Sequence, residues 1–490
     1  MRRFESQRAV LVRRGPRLAA LLLCLGLAPA LGGCFVGTEK PDAALDVPHR
    51  YREAPRNADR ALPSVTWWRG FGSRQLTDLI EEALTSNLDI AAAVARIVQA
   101  DAQARIAGAP LLPGVNFAAD VSRRRSSQST GGGLGSSETT TYSTGLSASY
   151  EIDFWGKNRS ALRAAEHLAA ASRFDREVIA LTTVAAVANS YFLVLSAQDR
   201  LRTARENLDA ATRVFKLVEE RFKVGTASAL DTAQQESVVN SQRATIPLLE
   251  QIVRENVATL ATLIGRAPSR ALIAAGGSMD QIAIPPVTPG LPSDLLVQRP
   301  DIRDAEAQLA AANANVESAR AAMLPSIQLT GDGGYQSAAL RTLLRPESAF
   351  FNLAAGLTQP LLDGWRLEGQ LDLTRGRQDE LLQLYRRAVV NGFADVERAL
   401  IAMQQTAERE RLQRLVVTSS RRAFEIAETR LREGAVDLVT VLNTQQTLFQ
   451  AQDTLAQARL ARLQAVVSLF QALGGGWPLP REEARAARKD

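Results

Sequence analysis

Hydrophobic residues recur with a helical period over six long segments and with a period of two over four short ones. The segments 157–223 and 365–432 contain no proline and are rich in Ala, Leu, Arg, Glu and Gln, all strong helix formers. At 67 and 68 residues, each would be roughly 100 Å long as a helix. Helices of that length belong to coiled or bundled assemblies. Shorter helical patterns cover 88–108, 228–264, 300–322 and 437–472. Stacked end to end, 88–108 with 228–264 nearly match the first long helix, and 300–322 with 437–472 nearly match the second. About 13 Å is left over for a break partway along each stack. Pro247 lies inside 228–264 and predicts a kink there. The uncharged stretch 178–198 is long enough to cross a bilayer. Its polar residues, from Thr182 and Thr183 to Asn189, Ser190, Ser196 and Gln198, favour a helix buried between neighbours.

The period of two appears at 115–122, 145–153, 326–335 and 351–358. Val115, Phe117, Ala119 and Val121 alternate with polar or small residues in the first. Leu146, Ala148, Tyr150 and Ile152 do so in the second, Ile327 and Leu329 in the third, and Phe351, Leu353, Ala355 and Leu357 in the fourth. These lengths suit transmembrane strands of about 9–11 residues, or half-buried hairpins in a soluble domain. Polar loops at 123–142, beginning Arg123-Arg124-Arg125, and at 337–349 join each pair. Four strands cannot close a membrane barrel, because open edges are not tolerated in lipid. Two copies supply eight strands and three supply twelve, and the trimer gives the wider lumen.

The pattern is also duplicated. Asn87-Leu88-Asp89-Ile90 aligns with Arg299-Pro300-Asp301-Ile302, and Leu112-Pro113 with Leu324-Pro325, at an offset of 212. Asp153-Phe154-Trp155-Gly156 aligns with Leu361-Leu362-Asp363-Gly364 at 208, and Arg221-Phe222-Lys223-Val224-Gly225 with Arg430-Leu431-Arg432-Glu433-Gly434 at 209. Each copy reads helix, strand, strand, long helix, turn, helix, which is a duplicated unit and not a solenoid.

The N-terminus changes how the charge is read. Six arginines and one acid fall within residues 1–33, and without them the net charge drops from +6 to +1. The basic balance therefore belongs to the leader and does not argue for nucleic acid. Arg2–Arg17 forms a cationic region and Leu18–Leu31 an apolar core of signal-peptide length. Leu31-Gly32-Gly33-Cys34 looks like a bacterial lipobox. The resemblance implies cleavage before Cys34, a diacylglycerol on its thiol and an acyl chain on its new amine, and Phe35 favours the outer membrane. An ordinary secretory leader with a chance cysteine is the alternative. Cys24 leaves with the leader, so the mature chain has one cysteine and no internal disulfide.

With these motifs in order, the sequence resembles the TolC-like outer-membrane efflux factors, especially the NodT/OprM-type lipoproteins. Trp67-Trp68-Arg69-Gly70-Phe71, Ser190-Tyr191-Phe192-Leu193-Val194-Leu195, Gln359-Pro360-Leu361-Leu362-Asp363-Gly364 and Ala472-Leu473-Gly474-Gly475-Gly476-Trp477 carry the likeness, with the tip motif Arg221–Asp231. The implied fold is mainly α with a transmembrane β-barrel portion. A homotrimer would form a twelve-stranded barrel and a long periplasmic helical barrel. The implied divisions are 1–33 signal peptide, 34–76 lipidated equatorial segment, 77–264 first repeat, 265–293 Pro/Gly-rich linker, 294–473 second repeat and 474–490 tail.

The resemblance also assigns sites. Val224-Gly225-Thr226 and Glu433-Gly434-Ala435 would dock the hairpins of a periplasmic membrane-fusion adaptor, while both glycines also read as plain helix C-caps. Asp231 matches a family aspartate at the periplasmic aperture, and Asp437 lies nearby. Thr440 and Asn443 occupy places where family members often carry Asp. Leu431 and Val436 replace the Tyr and Arg that bridge the closed tip in the best-known member. Capping of the return helices is the structural alternative for Asp231 and Asp437.

Little remains for bond chemistry. The chain has two histidines, His49 and His167, and lacks GxxxxGK[ST], HExxH and paired CxxC motifs. The expectation is a passive exit duct for drugs or other small toxic compounds, served by an adaptor and an inner-membrane RND pump. It has no catalytic residues, no metal and no cofactor beyond the acyl groups on Cys34. A type I secretion channel working with an ABC exporter is one rival. A coiled-coil lipoprotein that braces the envelope without forming a pore is the other.

Overall fold

The computed structural model describes residues 42–53, 64–125, 138–270, 277–475 and 477. The leader, Cys34 and most of the tail 474–490 lie outside the described residues. The chain divides into two compact units, one containing 107–164 and 312–377, the other 42–106, 165–311 and 378–490.

The first unit is built on one antiparallel sheet in the order β1-β2-β3-β4, with β1 at Gly114–Arg125, β2 at Glu138–Ile152, β3 at Ser326–Ser337 and β4 at Ala349–Thr358. Phe117 pairs with Leu146, Leu146 with Gly333 and Gly333 with Phe351. This register gathers the four apolar alternations onto a single face. The first hairpin is longer than its hydrophobic pattern. Residues 123–125 and 138–142, read as loop, are strand, because β-branched Thr139, Thr140 and Thr141 suit a pleated backbone and Arg123 bonds Glu138 across the pair at 2.8 Å. Asp153, read as the end of the second strand, instead accepts from the backbone N–H groups of Asn158 (2.9 Å) and Arg159 (2.8 Å) at the start of the next helix.

Six long helices follow the expected positions closely: α2 Leu88–Gly108, α3 Lys157–Lys223, α4 Ala229–Leu263, α6 Pro300–Ala321, α7 Arg366–Arg432 and α8 Leu438–Ala472. Two shorter ones, α1 Arg74–Ser86 and α5 Pro292–Gln298, carried too few turns to stand out as patterns. α7 begins one residue late because Trp365 takes a left-handed backbone (φ 68°) after Gly364. α4 continues through Pro247 as one uninterrupted helix. Of the apolar window in α3, 61% is buried, and Val187, Ala188, Phe192, Val194 and Leu195 pack with Phe71, Ile80, Leu260, Leu463 and Val466 in the core of the second unit. Trp67 stacks on Phe470 at 4.7 Å in the same core.

The internal repeat is written into the joints between helices. Asn87 Nδ2 donates to the carbonyl of Leu263, the last residue of α4, at 2.8 Å. At the equivalent place, the Arg299 guanidinium donates to the carbonyl of Ala472, the last residue of α8, at 3.1 Å. The turns that follow use Gly265 (φ 72°) and Gly474 (φ 85°). A Cβ at Gly265 would strike the Ser86 carbonyl, and one at Gly474 would strike the Gln298 carbonyl, so glycine is required by close approach as well as by φ. The break left over in each stack is thus filled by a polar joint, made once per copy.

Candidate functional site

Three features of the two units bear on transport: a sheet with two faces, a pair of helical tips and a charged clamp. On the sheet, Val115, Phe117, Val121, Leu146, Phe351, Leu353 and Leu357 form an exposed apolar face. Asn116, Asp120, Ser147, Asp332 and Asn352 alternate onto the opposite face. Apolar outside and polar inside is the division of a membrane barrel wall. Both edge strands, β1 and β4, are exposed along their whole length and pair on one side only.

The tips are two copies of one turn. Gly225 and Gly434 share a φ of 78°. Thr226 N–H reaches the Arg221 carbonyl and Ala435 N–H the Arg430 carbonyl, each at 2.8 Å. Gly225 N–H bonds Phe222 and Gly434 N–H bonds Leu431, each at 3.0 Å, which completes the same helix-stop motif twice. Val224, Gly225, Thr226, Glu433, Gly434 and Ala435 are all exposed. Nothing lies within 4 Å of a Cβ placed on either glycine, so the backbone turn and not crowding selects them.

The candidate aperture residues are engaged locally. Asp231 sits at the third helical position, not at the cap itself. Its carboxylate accepts from the Ser228 N–H and hydroxyl at 2.8 Å, while Ser228 Oγ accepts from Asp231 N–H. Asp437 is the cap of α8 and accepts from Thr440 through its hydroxyl (2.6 Å) and its N–H (3.0 Å). Those bonds hold the Asp437 carboxyl below its ordinary value. Thr440 is committed to that cap, and Asn443 is exposed. Leu431 is buried among Val214, Val218, Phe424 and Leu438. Its carbonyl accepts from Arg221 at 2.8 Å, so the two tips are tied through a backbone oxygen and not through a side-chain pair. Among the described residues, no group of three or more His, Cys, Asp or Glu is placed to hold a metal ion.

Two contacts of the second unit had no motif to announce them. The segment from Asp42 to Glu53 lies along α7: Arg386 donates to the carbonyls of Asp42 and Ala43, Glu397 accepts from Arg52 N–H, and Gln404 donates to the Glu53 carbonyl. Tyr51 is buried there beside Leu295, Val396 and Leu400. The second is Glu410 of α7, 1% exposed, which accepts from Arg414 (2.7 Å), Arg459 (2.8 Å) and Arg462 (3.0 Å). Arg459 also donates to the Met279 carbonyl at 3.0 Å, and Asp199 of α3 accepts from Met279 N–H at 2.8 Å. The linker turn Met279–Gln281 is thereby clamped to α3 and α8, and through Arg459 to α7. Arg414 lies four residues on from Glu410 on α7, while Arg459 and Arg462 arrive from α8.

Comparison with known proteins fits this geometry. The family model described as outer membrane efflux protein matches residues 79–266 and 291–475, one stretch for each copy of the repeat. The pyoverdine export outer membrane protein OpmQ of Pseudomonas aeruginosa is 43% identical over 465 residues, 94% of this chain and 97% of that protein. The cation efflux system protein CusC of Escherichia coli is 31% identical over 464 residues, 93% of this chain and 98% of its own length. Among solved structures, the outer-membrane channel OprN aligns with a TM-score of 0.86 at 25% identity, covering 91% of this chain and all of that one. The chain belongs to the outer membrane efflux protein family and has the TolC-like fold; it is an outer-membrane efflux channel. The family consists of ducts and not enzymes.

The Glu410 clamp makes a pH prediction. Burial pushes this carboxyl up, but the hydrogen bonds from Arg414, Arg462 and Arg459 outweigh it and hold it at about 2, below the ordinary 4.5. A depressed carboxyl stabilises the fold fully above its unfolded value, and that contribution fades as pH falls from 4.5 towards 2. Glu410→Gln should cost about 3 kcal/mol at neutral pH, because Arg462 loses its carboxylate partner and the largely buried Arg459 keeps only the exposed Asp280. It should also flatten the acid limb of a stability-versus-pH curve measured by denaturant unfolding. Two proteins with the same acid limb would contradict the assignment.

Proposed function

We propose that three copies of this chain form a passive exit duct, and the observation that carries the reading is the four-stranded sheet with both edges unpaired. Hydrocarbon offers no partner for those backbone groups, so the sheet must be closed by other copies. Three copies give a twelve-stranded wall whose polar face lines a lumen. The relatives are components of tripartite efflux systems, which supports a periplasmic adaptor and an inner-membrane pump as partners. An RND pump and small toxic compounds are the finer reading. The likeness to a pyoverdine export protein adds pyoverdine to the cargo worth testing.

The tips Val224-Gly225-Thr226 and Glu433-Gly434-Ala435 are the proposed adaptor contacts. Their exposure and their identical backbone present the same surface twice per chain, six times per trimer. Asp231, with Asp437, Thr440 and Asn443 around it, is the proposed aperture, where threefold symmetry brings three copies of the Asp231 carboxylate into one ring. Cys34, eight residues before Asp42, is the proposed lipid anchor, carrying diacylglycerol and an N-acyl chain in the outer membrane. The strap of Asp42–Glu53 along α7 supports this, because it gives the anchor a fixed point of attachment.

A deletion strain complemented with variants and challenged with drugs, dyes, metals and pyoverdine tests the reading. The wild-type gene should restore resistance or export to at least one compound. A strain whose tolerance and export match the parent for every compound speaks against efflux. Gly225→Phe combined with Gly434→Phe should abolish complementation while the trimer still forms on gels; full activity would rule out tip docking. Asp231→Ala should change conductance or cation block in planar bilayers, and identical records would remove it from the aperture. Cys34→Ser should lose incorporation of labelled palmitate, whereas undiminished labelling would place the anchor elsewhere.

A further inference from the structure

The sheet contains the information needed to set the register across the boundary between copies. β1·β2 is the hairpin of the first repeat and β3·β4 the hairpin of the second. The two hairpins are superimposable in register: Gly114 pairs with Ser149 as Ser326 pairs with Thr358, and Phe117 with Leu146 as Leu329 with Ala355. β1 therefore maps onto β3 at an offset of 212 and β2 onto β4 at 209. The second offset is also the one that carries α3 onto α7 and α4 onto α8. β2·β3 is the junction where the first repeat meets the second. In a closed wall, β4 meeting β1 of the next copy is the same junction with the roles exchanged, and it is antiparallel as well.

Resting on the trimer reading, we infer that β4 of one copy pairs with β1 of the next in the register copied from β2·β3, with Ala354 opposite Ser122 of the next copy. The mapping takes Gly145↔Gly334 to that pair, Ser143↔Gln336 to Asn352 opposite Arg124, and Ser149↔Thr330 to Thr358 opposite Ala118. The result is eight consecutive pairs, from Phe351 with Arg125 to Thr358 with Ala118.

The alternation of faces agrees with this register. Every apolar-face residue of β4 meets the same face of β1: Ala355 lies opposite Val121 and Leu357 opposite Ala119, while Phe351 and Leu353, at the loop end of the strands, lie opposite Arg125 and Arg123. On the polar face, the Arg124 guanidinium gains the Asn352 amide as an acceptor. A slip of one residue would turn the polar face of one strand into lipid and is excluded by the pleat. A slip of two keeps the faces, so only the repeat selects among the even registers.

Paired cysteines in the full-length chain, expressed in outer membranes and oxidised in place, test the assignment. Ala354→Cys is combined in turn with Ala118→Cys, Asp120→Cys, Ser122→Cys and Arg124→Cys, and each single variant serves as a control. Directly opposite residues sit about 4.5–5.5 Å apart between Cα atoms, within reach of a disulfide, whereas a two-residue slip lengthens this to about 7–8 Å. The Ser122→Cys pair should give several-fold more covalent oligomer than the others. A maximum at 118, 120 or 124 overturns the register and leaves the shared wall standing. The absence of cross-links in a chain that still runs as a trimer also overturns the register. The absence of cross-links in a chain that runs as a monomer overturns the trimer itself.

Discussion

Backbone hydrogen bonding in a medium without water governs the molecule. Each unpaired N–H or C=O in hydrocarbon costs several kcal/mol. β1 and β4 each expose a row of such groups beside an apolar face. The two facts together leave association as the way out: the apolar face drives the sheet into the bilayer, and the edges forbid it to go alone. Apolar area by itself would be met equally well by a soluble partner covering the face, but that would leave the edges open. The number of strands per chain thus calls for association before any contact between chains is considered.

Duplication explains how one short design accounts for a chain of 490 residues. Each copy supplies a hairpin, a long helix, a glycine turn and a return helix. Each copy also supplies the joint at which the return helix meets the next short one. Asn87 and Arg299 make that joint with different chemistry, an amide in one copy and a guanidinium in the other, yet both donate to the final carbonyl of the return helix. The copies differ at the linker, where the counterpart of Glu410 at the offset of 209 is Leu201. The Glu410 cluster joins α7 and α8 of the second copy to the linker, and Asp199 of α3 completes the clamp from the first. One copy therefore holds the other at the linker by charge, while the cores hold by apolar packing.

Much of this was legible in the residues. The long helices showed themselves because sixty-odd residues rich in helix formers and free of proline favour one continuous helix, and their ends were marked by Gly225 and Gly434. The strands were visible as alternation, but the loop-side ends of the first hairpin were not, since Thr139–Thr141 and Arg123–Arg125 are polar and look like loop until the ladder pairs them. Pro247 lies inside α4 without ending it, as the single helical pattern over 228–264 implied. The Glu410 clamp and the Asp42–Glu53 strap were hidden for a different reason. Arg414 aside, their partners are separated by 49 residues or more in sequence, and nothing periodic connects them. Asp231 and Asp437 both sit at the start of a return helix, but which of them caps and which reaches back is a matter of a single residue's position.

The most direct measurement is the mass and conductance of the mature protein in detergent. Sedimentation of the purified chain should give a complex of three copies, and the same fraction should pass ions across a planar bilayer. A chain that remains a soluble monomer without detergent, and leaves the bilayer silent, would contradict the shared wall.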